Sequence, residues 1–174
     1  MLLSHSKIRR FGLLAVLVLG LPRTLVQTAG AGLFLTYFPA QAIAWVYLAT
    51  ALICPLLAMV FIQLEARLPL VPLLLAVELG CATVSIALRL CQPAAPEWVA
   101  GLAFLWAQVE NMVSSLVFWG LANQLFDIRA AKSAFPRIAS GEQVGALGVG
   151  LFVPVLLTWF GTSDLLLLSA SSNI

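Results

Sequence analysis

Five apolar stretches, each long enough to cross a bilayer, dominate the chain and leave few folds open to it. A helical span needs about 20 consecutive apolar residues. Residues 11–35, 42–62, 69–90, 98–124 and 144–160 qualify. Hydrophobic residues make up 62% of the sequence and charged ones 9%, against roughly 45–50% and 25% in soluble domains. A soluble fold of 174 residues has too little interior to hide that much apolar surface. The solvent for most of the chain is therefore expected to be lipid, and the fold an all-α polytopic membrane bundle. Connections at 36–41, 63–68, 91–97, 125–143 and 161–164 are short, and no soluble linker or short repeat interrupts them. A sixth apolar run begins at Leu165 and stops at Ser169. The chain thus reads as one transmembrane domain over residues 1–174, five complete spans and the start of a sixth, with a C-terminal half expected beyond it.

The placement of the basic residues orients the bundle. Lys7, Arg9 and Arg10 precede the first span, Arg67 follows the second, and Arg129, Lys132 and Arg137 follow the fourth. With alternating spans these seven share one side, and the other side receives only Arg89. Cytoplasmic connections are enriched in Lys and Arg, so the N-terminus is expected inside a cell inner (plasma) membrane. Tyr37, Phe38, Trp98 and Trp159 fall near the outer ends as interfacial anchors, and Trp119 towards the inner end of span four. The run Lys7–Arg10 followed by residues 11–21 also has the form of a signal peptide, with Ala29-Gly30-Ala31 as its cleavage site. Apolar residues continue past that site to Leu35, which favours an uncleaved span. Residues 127–143, where Phe126, Ile128, Phe135 and Ile138 interleave with charges, are expected to form a short amphipathic helix on the inner membrane face. A net charge of +2 gives no reason to expect nucleic acid as a partner. Cys54, Cys81 and Cys91 have neither metal-ligand spacing nor a disulfide pattern.

Three ionisable residues sit deep within spans. At about 1.5 Å per residue, Arg23, Glu78 and Glu110 lie roughly 18, 14 and 21 Å from the inner ends of their helices. In a hydrocarbon core about 30 Å thick all three are near the middle. A charge there costs at least about 2.5–3.5 kcal/mol on insertion scales, so each should face a partner or water. Gly20, Gln27 and Gly30 share a helical face with Arg23. Pro22 beside it is expected to bend the helix. Glu78 shares a stripe with Cys81, Ala82, Ser85 and Arg89, and span four presents Gln108, Glu110, Asn111, Ser114 and Ser115 over a broad polar face. These faces are expected to converge. Two outcomes are open: Arg23 pairs with Glu78 or Glu110 to pin the bundle, or the charges line a solute pathway. The candidate substrate-binding residues are Arg23, Gln27, Glu78, Glu110, Asn111 and Asn123.

Gly141, Gly145, Gly148 and Gly150 enter and begin the fifth span. Gly141-x-x-x-Gly145 reads as a packing face that lets helices approach closely. No Gly-Lys-Ser/Thr follows, so a Walker-type phosphate loop is not expected. His5 is lone, the serines within spans lack a histidine partner, and the acids are scattered. No enzymatic activity, cofactor or metal is expected from this pattern.

The segment 110–145, ENMVSSLVFWGLANQLFDIRAAKSAFPRIASGEQVG, is the most distinctive. It resembles the ATP:ADP antiporter (nucleotide transport protein) family of plastids and intracellular bacteria, and that family's looser bacterial relatives. The likeness is carried by Glu110, Ser114–Ser115, Phe118-Trp119, Ala122-Asn123, Ala131-Lys132, Phe135-Pro136 and Gly141–Gly145, with Arg23 in span one and Tyr47-Leu48-Ala49 in span two. Arg23 stands where the nucleotide exchangers usually carry Lys, and residues 63–68 lack the Gly-x-x-x-Asp-Arg pattern of typical major-facilitator proteins. The resemblance implies a major-facilitator-like fold of twelve spans, of which this chain supplies most of the first half. It ties Arg23 and Glu110 to nucleotide handling. The expected function is a secondary transporter, or part of one, that moves an anionic solute such as ATP or ADP by alternating access. The rival is a non-transporting membrane module, a sensor or scaffold anchor within a larger protein.

Overall fold

The computed structural model describes residues 20–126 and 128–172, and among these there is no strand. Helix α1 spans Leu21–Tyr37, a 3-10 turn covers Ala40–Ala42, α2 spans Ile43–Glu65, α3 Leu70–Cys91, α4 Pro96–Leu125 and α5 Ile128–Ser172. Spans two, three and four are thus where the hydropathy places them, within a few residues at each end. The beginning of span one, residues 11–19, lies outside the described residues.

Among the described residues, three helices are long and apolar enough to cross a membrane: the turn with α2, then α3, then α4. Exposure says the same. On α2, Trp45 is 73% exposed and Leu52 67%, and Leu56, Met59 and Ile62 are exposed with them. Water would not tolerate a contiguous apolar surface of that size, whereas lipid favours it. The fold is that of a helical membrane protein. Its threonines fit that solvent too. Thr24, Thr28, Thr36, Thr50 and Thr83 each donate to the carbonyl four residues back at 2.7–2.9 Å, so none presents a bare hydroxyl to an apolar surface.

Side-chain contacts show that successive helices alternate in direction, with α4 at the centre. Helix α1 packs on α4 and α5, α3 packs on α4 and α5, and α2 packs on α4. Along α4, Ala103 meets Gly30 of α1, while Val117 meets Phe61 of α2 and Leu73 of α3. The tightest seam joins α1, α4 and α5 through Val26, Ala29, Ala100, Ala103, Ala107 and Val149. Small residues bring the backbones together there: a Cβ on Gly30 would stand 3.0 Å from the Ala103 carbonyl oxygen. A cleavage site at Ala29-Gly30-Ala31 would fall in the middle of this seam, where Ala29 and Gly30 are buried.

Two expectations need correction. The stretch 125–143 is not a connection with a separate surface helix. Helix α5 begins at Ile128 and runs 45 residues to Ser172 without a break. The reason is periodicity: Ala134 and Ile138 are buried against Phe118 of α4 and Phe126 just beyond its end, and the same face continues through Gly145, Val149 and Val153. A stretch whose apolar face is already covered by α4 has no need of a membrane surface. Nor do residues 161–164 form a connection before a sixth span, because they are helical and continuous with what precedes them.

Gly145 packs as the Gly141-x-x-x-Gly145 spacing suggests. A Cβ on Gly20 would stand 3.0 Å from the Gly145 Cα and 3.0 Å from the Glu142 carbonyl oxygen, so the backbones meet closely where α1 begins. Gly148 and Gly150 face open space.

Candidate functional site

Helix α4 carries polar residues on two sides, and the bundle treats the two sides differently. On the side of α1 and α2 there is a cavity of about 700 Å³. Arg23 of α1, Glu65 of α2, and Asn111, Ser115, Asn123 and Gln124 of α4 give it its polar character, with Phe61 and Trp119 among its apolar walls. From Asn111 to Gln124 it follows α4 for roughly 20 Å at the helical rise. Asn123 and Gln124 are exposed, so the cavity opens at the end of the bundle where α2 and α4 finish and Arg67 lies.

The same three helices are closed at their other end. Phe34 stacks on Phe38 with ring centroids 4.8 Å apart, and Phe104 lies 5.1 Å from Phe34 and 6.1 Å from Tyr47. Aromatic rings from α1, α2 and α4 thus fill the space that is polar and open some way below.

Arg23 is the charged group at the inner reach of the cavity. Its guanidinium donates from Nη1 to Oε1 of Glu142 on α5. This is not the pairing with Glu78 or Glu110 that depth alone suggests. The reason is geometric: α1 and α5 touch at Gly20 and Gly145, which brings position 142 beside position 23. Glu142 was missed because residues 125–143 read as a connection outside the bundle. The signal for it was present, since Glu142 lies four residues after the buried Ile138 and seven before the buried Val149, on one helical face. Glu142 is only 13% exposed and Arg23 33%, so the ion pair is sheltered yet within reach of the cavity.

On the other side of α4, facing α3, two carboxylates are sealed. Glu78 is 6% exposed and Glu110 3%. The contacts cross over. Ser114 of α4 hydrogen-bonds to Glu78 of α3, and Ser85 of α3 donates to Oε2 of Glu110 of α4 at 3.5 Å. Because α3 and α4 run antiparallel, the spacings Glu78 to Ser85 and Glu110 to Ser114 place each acid opposite the other helix's serine. The two carboxylates are close enough for each to feel the other's charge, and Cys81 lies beside both. Oε1 of Glu78 is buried and has no hydrogen-bond partner.

Of the six candidate residues, Arg23, Asn111 and Asn123 meet in the cavity. Glu78 and Glu110 meet each other on the opposite side of α4. Gln27, half-buried one turn beyond Arg23, lines neither site. Among the described residues no group of three or more His, Cys, Asp or Glu is arranged to hold a metal.

The residues of the family-like segment gather at the corner between α4 and α5. Phe118 and Trp119 meet edge to face at 5.7 Å, Trp119 and Phe135 at 5.3 Å, and Phe126 and Phe135 at 6.4 Å. Their first role here is to fix the angle at which the chain turns from α4 into α5. No family model, curated protein or solved structure matches the chain.

Proposed function

We propose that the chain is a secondary transporter of the inner membrane, or the N-terminal part of one, that moves an anionic solute of the nucleotide class by alternating access. The observation that carries this reading is the position of Arg23 at the head of a cavity open at one end and stopped by aromatic rings at the other. A volume near 700 Å³ falls within the roughly 300–1,000 Å³ of small-molecule sites. Arg is suited to bidentate recognition of phosphate or carboxylate. In the empty site Glu142 occupies the guanidinium. An entering anion competes with Glu142 for Arg23, and its success frees α5 from α1 beside their contact at Gly20 and Gly145. Binding is thereby linked to helix movement. Asn111, Ser115 and Asn123 supply neutral hydrogen bonds to the rest of the solute.

The orientation belongs to the same proposal. The cavity mouth shares its end of the bundle with Arg67, Lys132 and Arg137, so by the distribution of basic residues it faces the cytoplasm. The twelve-span, major-facilitator-like architecture of the ATP:ADP antiporters accommodates this arrangement, with a second half closing the outer faces of α1, α3 and α5.

Reconstitution tests the reading. The full-length protein in vesicles should take up labelled nucleotides or other organic anions, and Arg23→Ala should abolish uptake. Arg23→Leu combined with Glu142→Leu replaces the ion pair by apolar groups, which is often neutral for stability. Normal uptake by that double variant would sink the role of Arg23 and leave the pair as structural. For orientation, the exposed native Cys91 should react with an impermeant thiol reagent in intact cells, whereas Ser140→Cys should not. The reverse pattern would overturn the assigned sidedness.

A further inference from the structure

The anion cavity has two chemically different ends, and the difference decides which way round a solute must lie in it. Asn111, Ser115, Trp119 and Asn123 follow one another at intervals of four residues, so they form one stripe of α4 along the cavity wall. The other two helices set their levels against this stripe. Gly30 of α1 meets Ala103 of α4, so Arg23, seven residues nearer the mouth, stands level with the Asn111 end. Phe61 of α2 packs with Val117, and α2 runs the same way as α4, so Glu65 stands level with residues 121–124. The deep end therefore carries a cation, the mouth a carboxylate with the amides of Asn123 and Gln124, and the stretch between them an indole ring.

Trp119 is a fixed surface, because Phe118 and Phe135 both meet it edge to face. Among the described residues no cation pairs with Glu65. A carboxylate standing in the path of an anion hinders it, unless the other end of the solute brings N–H donors that the carboxylate can accept.

Resting on the nucleotide reading above, we propose that the cavity takes its solute phosphate first, with the base stacked on Trp119 and the amino edge of the base read by Glu65. Carboxylates accept from the exocyclic amino group of a base, and side-chain amides pair with the adjoining donor and acceptor of adenine. Adenine, guanine and cytosine carry such an amino group, whereas uracil and thymine turn carbonyl oxygens towards the carboxylate. Stacking does not discriminate, since every base has a π-face. Glu65 is thus the specificity-determining residue, and it selects amino-bearing bases.

Equilibrium binding to the full-length protein in lipid nanodiscs tests the assignment without a transport assay. Cytidine and uridine triphosphates are the probes, because their bases differ in the amino group and the ring proton beside it. The native protein should bind the cytidine nucleotide about tenfold more tightly. Glu65→Gln should bring the two together, because an amide can offer either a donor or an acceptor. Trp119→Leu should weaken both alike, and Trp119→Phe should recover most of the loss. Inorganic tripolyphosphate, which has no base, should bind the native protein and Trp119→Leu equally, which also shows that the variant is folded. Equal binding of the two nucleotides to the native protein overturns the role of Glu65 and leaves the nucleotide reading standing, as does a preference that survives Glu65→Gln. Full nucleotide affinity in Trp119→Leu overturns the stacked base. If tripolyphosphate binds and neither nucleotide does, the nucleotide reading falls and this assignment with it.

Discussion

The two polar sides of α4 deal with buried charge in opposite ways. Towards α1 and α2, Arg23 is met by a full opposite charge on a neighbouring helix and keeps an opening to water through the cavity. Towards α3, Glu78 and Glu110 lie beside serine hydroxyls of the opposite helix and are shut away from any cavity. An ion pair that borders an aqueous cavity can exchange its partner for a solute ion at modest cost. Carboxylates buried in a helix interface have no room to exchange partners with a solute. One side is therefore open to a solute and the other is not, though both ride on the same helix.

The comparison breaks most severely at Gly30. Any Cβ there would meet the backbone of Ala103 and Phe104 at 3.0–3.1 Å, and backbone cannot yield as a flexible side chain does. Gly30→Leu should force α1 off α4, cost about 3 kcal/mol at the upper end of overpacking effects, and carry Arg23 out of the cavity. Unfolding measured in mixed micelles reads the loss. The α3–α4 interface should be untouched, so cross-linking of cysteines placed across it should outlast the loss of anion uptake. Gly80→Leu is the control, since nothing lies within 4 Å of a Cβ there, and surface changes of that kind stay within about 0.5 kcal/mol.

The serines set the next largest effect. Ser114 is buried and serves Glu78 from across the interface. Ser114→Ala removes a hydroxyl that serves Glu78, and stranding a buried acceptor costs about 1–3 kcal/mol. Ser115→Ala, one residue along but lining the cavity, should cost far less because water can replace its hydroxyl. Equal losses at the two neighbouring serines would show that the α3 side of α4 is not sealed.

Much of this was legible in the sequence, and the remainder fails for a physical reason. Hydropathy finds α2, α3 and α4 because each is a long apolar run bounded by Pro, Gly or charge, and lipid asks nothing more of a helix. Depth arithmetic picks out Arg23, Glu78 and Glu110 because a charge in a span must be accommodated somewhere. Hydropathy cannot say by whom. The partner of Arg23 is Glu142, which averages into a polar stretch and looks like part of a connection. Averages erase phase, and Glu142 is recognisable only by its phase with Ile138, Gly145 and Val149. The separation of the acids from Arg23 was hidden for the same reason. Glu110 and Asn111 are adjacent in sequence yet project about 100° apart on a helix, which sends one towards α3 and the other into the cavity.

The smallest effect expected is the most discriminating for Arg23 itself. If the Arg23–Glu142 pair is meant to be exchanged for a solute, it must not be strong. A guanidinium one-third exposed is screened by water, and such pairs contribute roughly 0.2–1 kcal/mol in double-mutant cycles. A cycle built from Arg23→Gln, Glu142→Gln and the double variant should therefore give a coupling energy below about 1 kcal/mol in the empty protein. Saturating anion should reduce that coupling towards zero, because the bound solute has already displaced Glu142. A sealed structural pair behaves differently: breaking one partner of a buried ion pair costs about 3–5 kcal/mol, and no solute could erase the coupling. A large, solute-independent coupling energy would place Arg23 with the architecture of the bundle and remove it from the anion path, while a small one that disappears on adding nucleotide would identify Glu142 as the group the solute displaces.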